Sequence, residues 1–199
     1  MPRLNNDKIA AFWEAFEDSA ADLAQASSAD TPVYDELLEE LQEIHEGLFI
    51  EFATSPGECE LIVTAEGEKS LFALVEEIVA AAPTVKDWRI FALKPKLGFP
   101  EFIQWEGYQL SIDDVVFDPM ESESGELGLL LLVPGLEDKD ADKAHNALLR
   151  AIDHGLGERN FAEAVAFTEI APLEESADEF ISLTDLESFI EWRKKQRNG

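Results

Sequence analysis

The sequence is poor in cysteine and has no long apolar segment. Cys59 is its single cysteine, and one thiol cannot form a disulfide within the chain. The longest uninterrupted apolar run, 127–134, is far shorter than the roughly 20 residues of a transmembrane helix. Residues 1–7 lack the basic and apolar segments of a secretory signal. These absences predict a cytoplasmic protein without a membrane span.

The sequence also lacks the common signatures of enzymes. It contains no phosphate loop of the form GxxxxGK, no GxGxxG fingerprint, no GxSxG elbow and no HExxH pair. We therefore expect a non-enzymatic protein without a cofactor, although this absence does not exclude catalysis.

Few residues could serve as a metal ligand or a nucleophile. The histidines are His45, His145 and His154, and the last two are predicted on opposite sides of one helix, so they cannot share a metal ion. Cys59 opens a predicted strand and its sequence neighbours are two glutamates, so we expect it to pack as a small apolar side chain. The acidic stretch after Asp113 and Asp114 matches no calcium loop. We predict no metal site.

Basic residues are scarce and unevenly placed. The chain has 43 acidic and 15 basic residues, a formal net charge of −28, and no Lys or Arg between Lys8 and Lys69. Because nucleic acids and anionic membranes bind proteins mainly through Lys and Arg, we expect no direct binding to either. Attraction of a basic protein, mimicry of nucleic acid, solubility and adaptation to high salt all remain compatible with this charge.

Hydrophobic periodicity predicts an α+β fold. Apolar residues recur every three or four positions over 6–26 and 32–45, which indicates two amphipathic N-terminal helices, the second capped by Thr31. Alternation across a turn at 55–57 then predicts a β-hairpin. We expect a largely antiparallel sheet of about six or seven strands with helices packed on one face. One domain should span 1–199, and residues 1–30 could form a separate helical arm.

The rest of the chain alternates between helical and extended patterns. The pattern predicts a central strand, buried on both sides, at 129–133, and a helix closed by Gly155. The expected segments are a helix ending at Pro83, strands at 88–93, 101–106, 108–117 and 127–133, an acidic loop at 118–126, a helix at 140–154, a last strand at 164–170 and a final helix after a capping box at 184–187.

A cluster of glutamates on the second predicted helix is a candidate partner-binding site. Glu36, Glu39, Glu40 and Glu43 follow one another at helical spacing and share one face, which we call the acidic face. A negative surface of this kind would accelerate association with a basic protein and make it sensitive to salt. The sequence leaves the oligomeric state open.

One interior stretch combines basic and aromatic residues. Trp88, Arg89, Lys94 and Lys96, with Trp105 nearby, form what we call the basic island. Such side chains can hold a carboxylate or phosphate, so the alternative function is a small anionic-ligand binder or a weak hydrolase. The competing interpretation is that these cations neutralise neighbouring carboxylates.

Several segments resemble a family of uncharacterised bacterial domains. They are ELIVTAEG at 60–67, AAAP at 80–83, WRIFALKP at 88–95, LLRAIDHGLG at 148–157 and IAPL at 170–173. Some members of that family occur beside the ribonuclease E inhibitor B domain. The resemblance implies a regulatory binding role and brings no catalytic residue with it.

Overall fold

A computed structural model describes residues 2–25, 31–55, 57–174 and 180–197. The chain forms two compact units, Met1–Pro95 and Lys96–Gly199, where the sequence predicts one domain. Both units combine helices and strands, so the α+β class is confirmed.

The helices of the first unit are α1 (Pro2–Leu23), α2 (Pro32–Gln42) and α3 (Phe72–Ala80). As predicted, Thr31 caps α2, because its hydroxyl accepts a hydrogen bond from the backbone N–H of Tyr34. The proposed arm at 1–30 contributes α1 to the core of this unit, and its residues 1 and 26–30 lie outside the described residues. The indole N–H of Trp13 donates to the carbonyl of Ile78 over 2.9 Å, which fastens α1 to α3.

The sheet of the first unit contains β1 (Phe49–Ser55), β2 (Glu58–Thr64) and β3 (Trp88–Ala92), in that order. The predicted hairpin is confirmed, since β1 and β2 pair antiparallel. Pro56 of its turn lies outside the described residues. By contrast, β3 pairs parallel with β2, and α3 provides the crossover that a parallel connection needs.

The second unit contains two further sheets. Its strands are β4 (Phe102–Trp105), β5 (Tyr108–Ser111), β6 (Val116–Glu121), β7 (Leu127–Val133), β8 (Phe167–Pro172) and β9 (Ile181–Ser182), and its helices are α4 (Ala141–Leu156), α5 (Glu158–Ala164) and α6 (Leu186–Arg197). Strands β4 and β5 form an antiparallel ribbon. The other four strands form a sheet in the order β8-β7-β6-β9, in which only β7 and β8 are parallel.

The core of the second unit lies between β7 and α4. Strand β7 is central and buried along almost its whole length, as its apolar run predicts. Leu129 and Leu131 are fully buried, and so are Leu148 and Ile152 on the predicted inner face of α4. Burial of such side chains contributes roughly 1.5–3 kcal/mol each.

Several sequence predictions need correction. The single sheet of six or seven strands is wrong, because the strands form separate sheets of three, two and four. The predicted strand at 108–117 is interrupted by a 3₁₀ turn at Ile112–Asp114. The side chain of Ile112 in this turn is fully buried in the core. Part of the predicted acidic loop at 118–126 belongs to β6. Gly155 lies inside α4, and Gly157, with a φ of 78°, follows its last residue.

The two units share one arrangement that the sequence did not reveal as a repeat. In the first, the hairpin β1-β2 is followed by α3 and by β3, which pairs parallel with β2. In the second, the hairpin β6-β7 is followed by α4 and α5 and by β8, which pairs parallel with β7. Helices α1 and α2 are additions to this ββαβ arrangement in the first unit.

Candidate functional site

The acidic face borders a groove between α1 and α2. The groove has a volume of about 340 Å³, and its lining residues are Ala15, Ser19, Val33, Glu36, Leu37, Glu39 and Glu40. Leu37 is only 2 % exposed, whereas the three glutamates are exposed. We call this feature the α1–α2 groove. It combines an apolar base with an acidic border.

Glu43, the fourth residue of the acidic face, is not among the groove-lining residues. The ammonium group of Lys8 on α1 lies 3.4 Å from its carboxylate and also donates a hydrogen bond to its backbone carbonyl. This contact ties the end of α2 to α1 and partly neutralises Glu43. Within the described ranges, Glu36, Glu39 and Glu40 form no ion pair. Of the acidic face, the negative charge that is available to a partner therefore lies on those three side chains.

Tyr34 fixes α2 against the sheet. Its hydroxyl donates to the carbonyl of Ile50 in β1 over 3.0 Å, and its ring lies 5.9 Å from that of Phe52. Burial raises the pKa of Tyr34 above its ordinary value, and the charge of Glu51 raises it further. The hydroxyl therefore keeps its proton to a higher pH in the folded protein than in the unfolded chain.

We expect Tyr34→Phe to lower the unfolding free energy by about 1 kcal/mol at neutral pH, since one hydrogen bond is lost. The raised pKa contributes stability that is present below about pH 10 and is lost as the pH rises through the folded pKa. The variant should therefore lose less stability than the parent on going from neutral to alkaline pH. Urea unfolding across that range measures both effects. An alkaline loss in Tyr34→Phe as large as that of the parent would contradict this assignment.

Comparison with known proteins leaves the site to be interpreted from its own geometry. No family model, curated protein or solved structure matches this chain.

The first part of the basic island lies in the first unit, where its side chains already have partners. Trp88 packs edge-on against Phe16, with ring centroids 5.1 Å apart. The guanidinium of Arg89 forms ion pairs with Glu60 and, over 3.1 Å, with Glu58.

Lys94, also in the first unit, lies between the carboxylates of Glu51 at 3.3 Å and Glu66 at 3.0 Å. All three cations of the island face carboxylates, because Lys96, in the second unit, donates to both carboxylate oxygens of Glu187 over 2.5 and 2.6 Å.

Trp105, the last residue of the island, belongs to the β4-β5 ribbon of the second unit. The guanidinium of Arg150 on α4 lies 3.8 Å from the centre of its ring, a cation–π contact. Trp105 therefore helps to hold the ribbon on α4. Each residue of the basic island therefore contacts a carboxylate, an aromatic ring or a guanidinium group of its own unit.

The other chemically active side chains are dispersed. Cys59 in β2 is 3 % exposed. The three histidines have separate neighbours: His145 hydrogen-bonds Thr168 over 2.7 Å, His154 hydrogen-bonds the carbonyl of Gly98, and His45 accepts from a backbone N–H two residues away. In the part of the chain that the structure describes, no cluster of three or more His, Cys, Asp or Glu could hold a metal ion. None of the helices in the described ranges has the length and hydrophobicity that a transmembrane segment requires.

Sequence reasoning missed the contribution of α1 to the groove. Ala15 and Ser19 are four residues apart and so lie on one side of α1, where small side chains leave space beside α2. The sequence carries no signal that singles these two residues out, because α1 also has alanine at positions 10, 11, 20 and 21.

Proposed function

We propose that this protein is a non-enzymatic, cytoplasmic interaction or regulatory protein that binds a basic protein partner through the α1–α2 groove. The observation that carries the proposal is a set of three exposed carboxylates, with no counter-ion among the residues that the structure describes, on the border of a partly apolar groove. A net charge of −28 would steer a basic partner towards this surface and repel nucleic acid and anionic membranes. The resemblance to the bacterial family agrees with a regulatory role.

The small-ligand alternative draws no support from the basic island. Arg89, Lys94 and Lys96 each face a carboxylate of their own unit, so an anionic ligand would have to displace those ion pairs. This is the neutralisation that the competing interpretation of the sequence predicts.

Replacing Glu36, Glu39 and Glu40 together with glutamine should abolish capture of the partner. Glutamine keeps the size and helix propensity of glutamate and removes its charge. With the full chain immobilised, we expect the parent to retain a discrete basic protein from its native lysate at low ionic strength and to release it at high ionic strength. The association rate of the identified partner should fall about tenfold or more in the triple variant.

The matched control is Glu14→Gln, Glu17→Gln and Glu77→Gln, which removes three exposed helical carboxylates outside the groove. It has the same net charge as the triple variant and should keep the partner. Equal loss in both variants would mean that overall charge alone is responsible, and recovery of no basic protein at either ionic strength would refute the proposal.

A further inference from the structure

The hydroxyl group of Ser19 is committed within its own helix. It donates to the carbonyl of Ala15 over 2.7 Å, and the carbonyl of Phe16 lies 3.3 Å from the same oxygen. A hydroxyl has one proton and two acceptor lone pairs, so Ser19 can offer the groove only an acceptor. This bond is independent of the acidic face.

The polar side chains of the groove therefore all demand a donor. Ionised Glu36, Glu39 and Glu40 accept hydrogen bonds and donate none, and Ser19 behaves in the same way. A carboxylate in the groove would place its oxygens against these oxygens, and an amide could satisfy them only through its NH2 group. A purely apolar group would leave them without a partner.

The rest of the lining is apolar. Leu37 is buried at the base, and Ala15 and Val33 are half-buried beside it. A matching side chain needs an aliphatic stem and a head made entirely of donors. Arginine and lysine have this construction, and they commonly lay their stems along apolar surface with the charged head outside. Arginine suits several separate acceptors better, since its planar head carries five N–H donors where lysine has three.

We propose that the α1–α2 groove is an arginine-binding site that receives one arginine side chain from the basic partner. The stem lies along Ala15, Val33 and Leu37, and the guanidinium donates to the surrounding glutamates and to Ser19. This inference rests on the proposed function and specifies which feature of the partner is read. A second copy of this chain is a poor occupant, because two chains of charge −28 repel each other.

The test is an NMR titration of the full ¹⁵N-labelled chain with N-acetyl-arginine methylamide. The same derivatives of citrulline, lysine and norleucine serve as matched probes. Citrulline has the shape of arginine without its charge, and norleucine has only the stem. We expect saturable shifts at the amides of Ala15, Ser19, Val33 and Leu37 with arginine, weaker binding with lysine, and at least about tenfold weaker binding with citrulline or norleucine.

Ser19→Ala tests the hydroxyl separately from the carboxylates. Alanine suits a helix interior, so the fold should persist, and the affinity for the arginine probe should fall about three- to tenfold. Glu17→Gln, next to the groove lining on α1, should leave the affinity nearly unchanged. Equal shifts with arginine and citrulline, shifts spread evenly over Glu14, Glu17 and Glu77, or an unaffected Ser19→Ala variant would each overturn the proposal.

The two proposals fail in distinguishable ways. If the arginine probe gives no localised shifts while the triple glutamine variant still loses the partner, the acidic face binds the partner without an arginine pocket. If the partner is captured equally by both triple variants, the proposed function fails whatever the probe shows.

Discussion

Phe16→Ala should lower the unfolding free energy of the protein by about 3–5 kcal/mol, the range for removing a fully buried aromatic side chain. Phe16 has no exposed surface. Its ring makes edge-on contacts with Trp13 at 5.8 Å and Trp88 at 5.1 Å. The substitution therefore leaves a cavity where α1 meets β3. Urea unfolding followed by tryptophan fluorescence measures the loss, because two tryptophans line the cavity.

This experiment also measures how firmly α1 is attached to the core of the first unit. The neighbouring Glu17→Ala, on the exposed side of α1, should change stability by less than about 0.5 kcal/mol. If Phe16→Ala were as mild as Glu17→Ala, α1 would be a loosely attached helix. The α1–α2 groove would then lack a rigid wall, so the outcome bears on the candidate site as well as on the fold.

Local sequence patterns predicted the individual helices and strands of this fold better than they predicted which strands pair with each other. The apolar stripe of α4 and the continuous run of β7 were both recognisable, since their period and length depend on neighbours in the sequence. The parallel pairing of β2 with β3 was not, because it depends on α3 placing Trp88 beside Cys59. Strand pairing across a crossover leaves no short-range signature.

Glycine at the end of α4 shows how packing can override a local rule. Gly155 was expected to close the helix, as glycine often does. Instead the ring of Phe99 lies so close to its Cα that a Cβ would overlap it, and the helix continues to Leu156. Gly155 allows the ring of Phe99 to approach the helix. Because Phe99 is 56 positions away, the residues that flank Gly155 in the sequence do not reveal this contact.

The candidate site was predictable only where it depends on residues that are close together in the sequence. Helical spacing alone placed Glu36, Glu39 and Glu40 on one face, and the structure retains them together. The pairing of Glu43 with Lys8 joins residues 35 positions apart, and that of Lys96 with Glu187 joins residues 91 apart. Which charges are free and which are neutralised is thus a property of the tertiary fold.

The location of the groove is consistent with a specialised role for the first unit. Both units contain the ββαβ arrangement, but α1 and α2 belong only to the first, where they precede its hairpin. The groove is formed by these added helices and leaves the shared arrangement intact. Substitutions of the exposed groove glutamates should therefore alter binding with little effect on stability, whereas those in the shared strands should act on stability.

Gly128→Val, a substitution in one of the shared strands, should lower the unfolding free energy by about 3 kcal/mol. Gly128 in β7 pairs with Phe167 in β8, and the Phe167 ring covers the position that a Cβ would take. Valine suits a strand, so its own backbone preference cannot explain a loss. The steric cause can be isolated by combining the change with Phe167→Ala, measuring urea unfolding of both single variants and of the double variant.

The double variant should be more stable than the sum of the single losses predicts, by about 1 kcal/mol or more, because the valine then occupies the space that the ring leaves. Leu130→Val, which shortens a half-buried side chain of the same strand, should cost less than about 1.5 kcal/mol and should add independently to Phe167→Ala. Strict additivity of Gly128→Val and Phe167→Ala would show that the ring does not rest on the glycine. Coupling confined to that pair would establish that a glycine and an aromatic ring set the close approach of β7 and β8.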